Sequence, residues 1–499
     1  MEAWSEPTTT SRSRGVGRVT TGRKGRAGAE RALGEANLLG RTQRPNLKHE
    51  AVSARRLALG AALFLAVAAC GKSRPAPKPA SQPTTKPTID RAWAATHLPN
   101  LPRAPVVPAR RTNVLPAPPR QGPPDDPVLV ALGKRIFFDD RLSEPPGTSC
   151  ASCHDPARAF SGRHGSRIGV ALGSRPGHFA RRATPSVLYM RFVPALHMFE
   201  DDEAPAPEPR GGFFWDGRSD SLAELVRQPL FNPDEMNAGG PGRLAAKLAR
   251  APYAKELRAA LGPSSAPEAL VRGVGVALEA FLKSDEMTPA SSKYDAYVRG
   301  LATLTEQERR GLEAFKDRRR GACAGCHRMA ETSTNPAESM FTDYGYDAIA
   351  LPRNRELPGN QDATSYDLGL CERKSAKLPP NEERFCSAFR TPSLRNVATR
   401  DTFGHNGVYK SLRDVVTFYA RRAVAPGRIY PPGQPFDDVP PKYRANVNIY
   451  APVYNRREGA PPPLSDEDID AIVAFLETLT DAPYGRGAGS AAVAESPLR

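Results

Sequence analysis

The chain has 499 residues, enough for two or three domains, but 51 prolines and 39% hydrophobic residues mean that part of it is not packed core. The formal net charge is +16, yet the first 70 residues hold 12 Lys and Arg against 5 Asp and Glu, leaving 58 against 49 in the remainder and a net of +9. No stretch interleaves aromatics with a dense basic patch, which argues against a nucleic-acid partner.

Residues 1–51 are rich in Arg, Gly and Thr and carry no apolar period, so they are expected to be a non-native or disordered extension, with translation beginning near Val52. Arg55-Arg56, the apolar run Leu57 to Ala69 and the small residues before Cys70 make a secretory signal over 52–70. The run is too short to span a bilayer comfortably. The small residues followed by cysteine resemble a bacterial lipobox, which implies lipidation at Cys70 and a periplasm-facing, membrane-anchored lipoprotein. An ordinary signal peptide with an incidental cysteine is the alternative. Gly71 after Cys70 gives no inner-membrane retention signal, a hint toward the outer membrane. The stretch 71–125 contains 14 prolines among Ser, Thr, Lys and Arg and reads as an extended spacer.

From Asp126 the pattern is helices and loops. A short amphipathic helix is expected over 127–138, and the five residues Cys150-Ala151-Ser152-Cys153-His154 follow it. A longer helix over 267–284 is read as joining two halves, with the boundary near Ser291. Thr305 and Glu308 form a capping box for a helix that leads to Cys323-Ala324-Gly325-Cys326-His327. The last helix has Ser465 and Asp468 as caps, Leu464 and Ile469 as staple, and a stripe of Ile469, Ile472, Val473, Leu476 and Leu479. The end after Asp481 is expected to be loose.

Each CxxCH is the pattern that attaches a c-type haem: two thiols add across the porphyrin vinyl groups and the adjacent imidazole reaches the iron. A pair of zinc knuckles would also use four thiolates, but zinc does not need His after the second Cys in both copies. The expected fold is therefore mainly α, two cytochrome c-like haem domains in tandem, spanning 126–290 and 291–485, with a tail at 486–499. Of the seven cysteines, Cys371 and Cys386 remain, and a disulfide between them is the simplest account.

Leu132 to Asp139, Phe214-Trp215-Asp216-Gly217-Arg218, Asn232-Pro233-Asp234-Glu235-Met236 and Thr391 to Ala398 resemble the bacterial dihaem cytochrome c peroxidase and MauG family. The resemblance implies a peroxidatic first haem on His154 and an electron-storing second haem on His327. It implies a distal ligand on the second haem, Met in the peroxidases and Tyr in MauG-like members, fourteen residues beyond a His-x-Gly. Here His405-Asn406-Gly407 leads to Tyr419, and no Met follows Met340. A phenolate favours oxidised iron where a thioether favours Fe(II). The bland reading of Tyr419 is a helix core aromatic.

The resemblance also implies that Trp215 relays between the haems, that Glu235 moves the peroxide protons, and that Pro229 lies nearby in the distal pocket. The bland readings are a core Trp and a helix cap formed by Asn232, Pro233 and Glu235. The chain departs from the family in three places. Leu225 stands where a Gln is usual. Ala183 stands where an Asn binds an inter-haem Ca²⁺, which puts calcium in doubt. His178 is the nearest candidate for a resting ligand of the first haem but is too close to Ala183, with His164 and His197 weaker still. The function implied is a peroxidase reacting with hydrogen peroxide and exchanging oxidising equivalents with a protein substrate or a small electron-donor protein. The alternative is a non-catalytic dihaem electron carrier.

Overall fold

The computed structural model describes residues 126–200, 206–262, 266–373, 378 and 382–485. The expected extension, the signal peptide with Cys70, the Pro-rich spacer and the tail at 486–499 lie outside the described residues.

Helix α1, Pro127–Phe137, begins where the Asp126 carboxylate accepts from the amides of Val128 (2.9 Å) and Leu129 (3.4 Å), with Pro127 at the first helical position. Short helices follow: α2 Cys150–Cys153, α3 Leu222–Leu225, α4 Arg227–Phe231, α5 Pro241–Leu248 and α6 Ala254–Leu261. The long α7, Pro267–Lys283, ends this half. The second half contains α8 Lys293–Val298, α9 Glu306–Lys316, α10 Leu412–Arg421 and α11 Asp466–Glu477. The capping boxes Thr305/Glu308 and Ser465/Asp468 are both formed. Sheet is confined, among the described residues, to two antiparallel ribbons. β1 His197–Phe199 pairs with β2 Glu208–Arg210, and β3 Tyr346–Asp347 with β4 Phe389–Arg390.

One packing unit is used twice. Helix α1 crosses α7 so closely that a Cβ on Gly133 would lie 1.9 Å from the Ala277 carbonyl oxygen, and α9 crosses α11 so closely that a Cβ on Gly311 would lie 1.9 Å from the Ala471 oxygen. Around the first crossing Leu132, Ile136 and Phe137 pack with Val274, Leu278 and Phe281. Around the second, Leu312 and Phe315 pack with Ile469, Ile472, Phe475 and Leu476. Val473, expected in that stripe, is only partly buried. The helix expected to join two halves therefore closes the first one: α7 packs on α1 as α11 packs on α9, because its apolar face matches α1 before the chain moves on.

Between the two modules apolar and polar contacts combine: Met340 and Tyr344 of the second pack into the core of the first, beside hydrogen bonds and ion pairs. The Asp481 carboxylate, fully buried, accepts from Tyr189 Oη (2.7 Å), Asn396 Nδ2 (2.6 Å) and the Ser291 amide (2.8 Å). Asp401 pairs with Arg158 and Arg163, both at 2.8 Å.

Candidate active site

The two CxxCH segments sit in matched cradles. His154 Nδ1 lies 3.1 Å from the Phe160 carbonyl and His327 Nδ1 lies 2.9 Å from the Phe341 carbonyl. Phe160 and Phe341 both adopt left-handed backbone, at φ 56° and 53°, which turns each carbonyl toward its imidazole. A serine fixes the preceding carbonyl in each case: Ser186 Oγ donates to Ala159 O and Ser393 Oγ to Met340 O, both at 2.6 Å. With Nδ1 committed to a carbonyl, the proton sits there and Nε2 is left free to ligate. Burial pushes His154 down to about 4 and also lowers His327, so both imidazoles are neutral, the form that binds iron. The thiols of Cys150, Cys153 and Cys323 are pushed up to about 12 by burial, and all four CxxCH cysteines are free of disulfides.

The duplication extends to the distal side. Phe213 bridges to Ser219 and Phe403 to Tyr409; Gly217 and Gly407 both have φ 64°; Ser221 caps α3 and Ser411 caps α10. In this register Trp215 corresponds to His405, and fourteen residues on Pro229 corresponds to Tyr419. A residue with no donor atom thus stands in the first module where the second has a phenol.

On the first module, the Pro229 carbonyl accepts from the Met236 amide at 3.1 Å, which holds the adjacent Glu235 beside it. Glu235 acts electrostatically on the Cys153 thiol, so it faces the attachment site. Burial raises its pKa, with Arg218 and an Asn232 hydrogen bond acting in the opposite direction. No helix starts here: Asn232 Oδ1 accepts from the Asp234 amide (3.0 Å) in a local turn, so the capping reading of Asn232 to Glu235 does not hold. Leu225 packs against the first core. The donor that sequence reasoning missed is Arg218, stacked on Phe214 with its Cζ 3.5 Å from the ring centroid and held by Gln228 Oε1 (2.9 Å) and Asp216 (3.0 Å). Arg400 was also missed. It comes from the second module, yet its charge reaches His154.

The histidines considered as resting ligands each make a contact through Nδ1. His178 Nδ1 lies 2.8 Å from Asp234 Oδ1, His164 Nδ1 2.7 Å from Leu172 O, and His197 Nδ1 3.0 Å from Ala195 O. A cleft of about 340 Å³ opens beside His178, Arg181 and Asp234 and is lined by His405.

Trp215 lies at the seam. Its Nε1 donates to Ala183 O (2.8 Å), two residues before Pro185, whose carbonyl bonds His154; its own carbonyl accepts from Arg390 N (2.8 Å), two residues before Pro392, whose carbonyl bonds His327. Among the described residues no group of three or more His, Cys, Asp or Glu could hold a metal ion. His405 stacks face to face on Phe389 at 3.5 Å, beside the buried Arg182–Asp367 pair.

On the second module the fully buried core aromatic of α10 is Phe418, and its neighbour Tyr419 faces the thiols of Cys326 and Cys323, which act on it electrostatically. Tyr419 stacks on Tyr454 with centroids 5.9 Å apart and planes 16° from parallel. No sequence motif marked Tyr454. Cys371 and Cys386 are joined, with Cα atoms 4.8 Å apart. Four free thiols at haem-attachment spacing, two neutral imidazoles, and a phenol facing the second pair of thiols form a donor set that fits two c-type haems.

Comparison with known proteins agrees. Residues 127–303 match the model of the family described as di-haem cytochrome c peroxidase. The methylamine utilization protein MauG of Paracoccus denitrificans is 35% identical over 377 residues, 73% of this chain and 91% of that protein. The cytochrome c551 peroxidase of Pseudomonas aeruginosa is 27% identical over 298 residues, 59% of this chain and 72% of that one. The crystal structure of the diheme peroxidase BthA from Burkholderia thailandensis superposes with a TM-score of 0.69 at 50% identity, covering 72% of this chain and 87% of BthA. The chain belongs to the di-haem cytochrome c peroxidase family, carries two covalently bound haems, and is an oxidoreductase acting on peroxide.

Proposed function

We propose that the two modules divide the work: the His154 site takes hydrogen peroxide, and the His327 site, closed by Tyr419, shares and passes on the oxidising equivalents. The observation that carries this is the pairing of Pro229 with Tyr419 across the repeat. One site offers a sixth ligand and the other offers none.

Bound haem supplies the redox-active iron at each site. The chain's own groups do the rest. Glu235 takes the proton from one peroxide oxygen and returns it to the other, and the Arg218 charge opposes the rise that burial imposes on its pKa. Trp215, bonded to the segments that carry both proximal carbonyls, is the aromatic relay between the sites. His405 keeps its place by stacking and marks the register that delivers Tyr419; it is a packing residue beside the cofactor. Tyr419 favours discharge onto a protein substrate over refilling by a small electron donor, because a phenolate supports oxidised iron. BthA was also solved as a tyrosine-to-methionine variant, 51% identical to this chain. Export through the signal at 52–70, lipidation at Cys70 and a periplasm-facing position belong to the same reading. They are supported by the attachment motifs, which are loaded outside the cytoplasm, and are checked by lipid labelling that Cys70→Ser abolishes.

The deciding experiment adds stoichiometric hydrogen peroxide to the diferric protein and follows the visible and near-infrared spectrum, beside Tyr419→Met. A long-lived two-electron-oxidised state lost in the variant supports the protein-substrate reading. A requirement for prior reduction of one haem points to a small donor protein. A wholly low-spin protein inert to peroxide overturns the proposal.

A further inference from the structure

The two loops that carry the proximal carbonyls repeat a sequence, and the repeat ends on an unequal pair. Thr184-Pro185-Ser186-Val187-Leu188-Tyr189 in the first module matches Thr391-Pro392-Ser393-Leu394-Arg395-Asn396 in the second. Tyr189 and Asn396 each open a short 3-10 turn from the left-handed region, at φ 63° and 59°. Asn takes that conformation readily and a bulky aromatic does not, so the tyrosine is held there at a cost. Both side chains reach the same atom: Tyr189 Oη (2.7 Å) and Asn396 Nδ2 (2.6 Å) donate to Asp481 Oδ2. The phenol oxygen also accepts from the Ala290 amide at 2.9 Å. An amide would satisfy the carboxylate on either side; the first module places there a ring that can be oxidised. That ring is 2% exposed and stacks on Phe192, and Arg395 Cζ stands 4.9 Å from its centroid, held by Asp295 at 2.9 Å. Burial holds the phenol well above its ordinary pKa, so at rest the proton stays on Oη. Trp215 is bonded to the same two loops, through Ala183 O and Arg390 N.

Resting on the reading that peroxide-derived oxidising equivalents spread across both sites, we propose that Tyr189 is a redox site at the seam, oxidised with loss of its proton to Asp481. One electron leaves the Tyr189 ring for an oxidising equivalent held at the haem sites. The O–H bond breaks, and the proton crosses the 2.7 Å hydrogen bond to Asp481 Oδ2. The products are a neutral tyrosyl radical and a protonated carboxyl group, with one oxidising equivalent consumed at the haem sites. The proton has to leave with the electron, because the Arg395 charge beside the ring opposes a radical cation. A carboxylate already at hydrogen-bond distance takes that proton without rearrangement. The radical oxygen keeps the bond from the Ala290 amide and gains one from the protonated Asp481. Return of an electron draws the proton back, so Tyr189 is a reversible holding place for one oxidising equivalent, beside the path through Trp215 and out of reach of solvent.

The test adds stoichiometric hydrogen peroxide to the loaded full-length protein, follows the near-infrared spectrum, and freezes samples during decay for electron paramagnetic resonance. Three proteins are compared: the wild type, Tyr189→Phe, and the chain with a ring-fluorinated tyrosine incorporated in place of Tyr189. The expected result is a tyrosyl signal in the wild type that gains a fluorine splitting in the fluorinated protein and is lost in Tyr189→Phe. In deuterated water it couples to exchangeable deuterons, those of the Asp481 carboxyl and the Ala290 amide. The fluorinated protein keeps the hydroxyl and its bonds, so it reports even if Tyr189→Phe does not fold. A tyrosine that only supports the Asp481 hub gives a lower melting temperature in Tyr189→Phe and no fluorine splitting, which overturns the inference. A tyrosyl signal without that splitting places the radical on another ring and overturns it equally. If the two-electron-oxidised state forms and decays with no tyrosyl signal, the inference alone fails. If no such state forms in the wild type, the reading beneath it fails and takes the inference with it.

Discussion

A carboxyl group that takes a proton at one moment and gives it up at the next works best with a pKa near the pH of the reaction. Burial raises Glu235 above its ordinary 4.5, and Arg218 limits the rise. As a base Glu235 must be ionised, so the acid limb of kcat/KM for peroxide lies above pH 4.5. Replacing it, Glu235→Gln, lowers the rate by about 10²–10⁴-fold and removes that limb. Arg218→Ala withdraws the charge that favours ionisation and moves the limb to higher pH, which stopped-flow measurement across pH 4–8 will detect. His405 obeys the opposite sign. It is buried and pushed down from 6.5 to about 4, so the folded state holds it neutral. The unfolded chain takes up the proton first as pH falls, so the stability it contributes is complete above about pH 6.5 and is lost between there and about 4. The loss reaches about 3 kcal/mol. His405→Phe, which keeps the stack on Phe389, should flatten this slope in urea denaturation at pH 7 against pH 4.5. An unchanged slope would assign it to other groups.

At the scale of elements the glycines at the helix crossings give the sharpest test. An alanine at Gly311 meets the Ala471 carbonyl, and one at Gly133 meets that of Ala277. Both obstacles are backbone, so the helices must separate. Overpacking of this kind costs about 1–3 kcal/mol, or a fall in Tm of roughly 2–12 °C at about 2–4 °C per kcal/mol. Gly242 in α5 has open space where its Cβ would go, so Gly242→Ala should stabilise by about 0.5–1 kcal/mol through helix propensity. Calorimetry that ranked the three variants in any other order would contradict the crossing geometry. These helices were legible in the sequence because caps and apolar stripes are local. The partner of α7 was not: an apolar face announces burial without naming what covers it. The same limit hid the site's supports. Trp215 stood out by its motif, but Arg218 meeting Gln228, Arg400 reaching His154 from the other module, and Tyr454 stacking on Tyr419 are set by loop paths without period or spacing.

For the molecule as a whole, Trp215 can connect two sites only if the modules hold one arrangement. The seam that holds them combines apolar packing with a buried hydrogen-bonded hub. Asp481 gathers Tyr189 from the first module, Ser291 from the connection and Asn396 from the second. Neither end of that cluster is visible from a local pattern, which is why residues past Asp481 could be read as loose while Asp481 itself is a buried hub. Removing its carboxylate takes the acceptor from Tyr189, Asn396 and Ser291 in a place water does not reach, a cost of about 3–5 kcal/mol. That cost falls on the docking of the modules, since each keeps its own crossed helix pair. Asp481→Ala should therefore split a single calorimetric transition into two and open the chain to protease near Ser291, with both haems still attached. Asp481→Asn, which retains one acceptor oxygen, should fall between the variant and the wild type. Peroxide reactivity at the first site should survive in Asp481→Ala while the spread of oxidising equivalents to the second slows. A variant that melted in one step and shared those equivalents at the wild-type rate would show that the modules are held by something other than this hub.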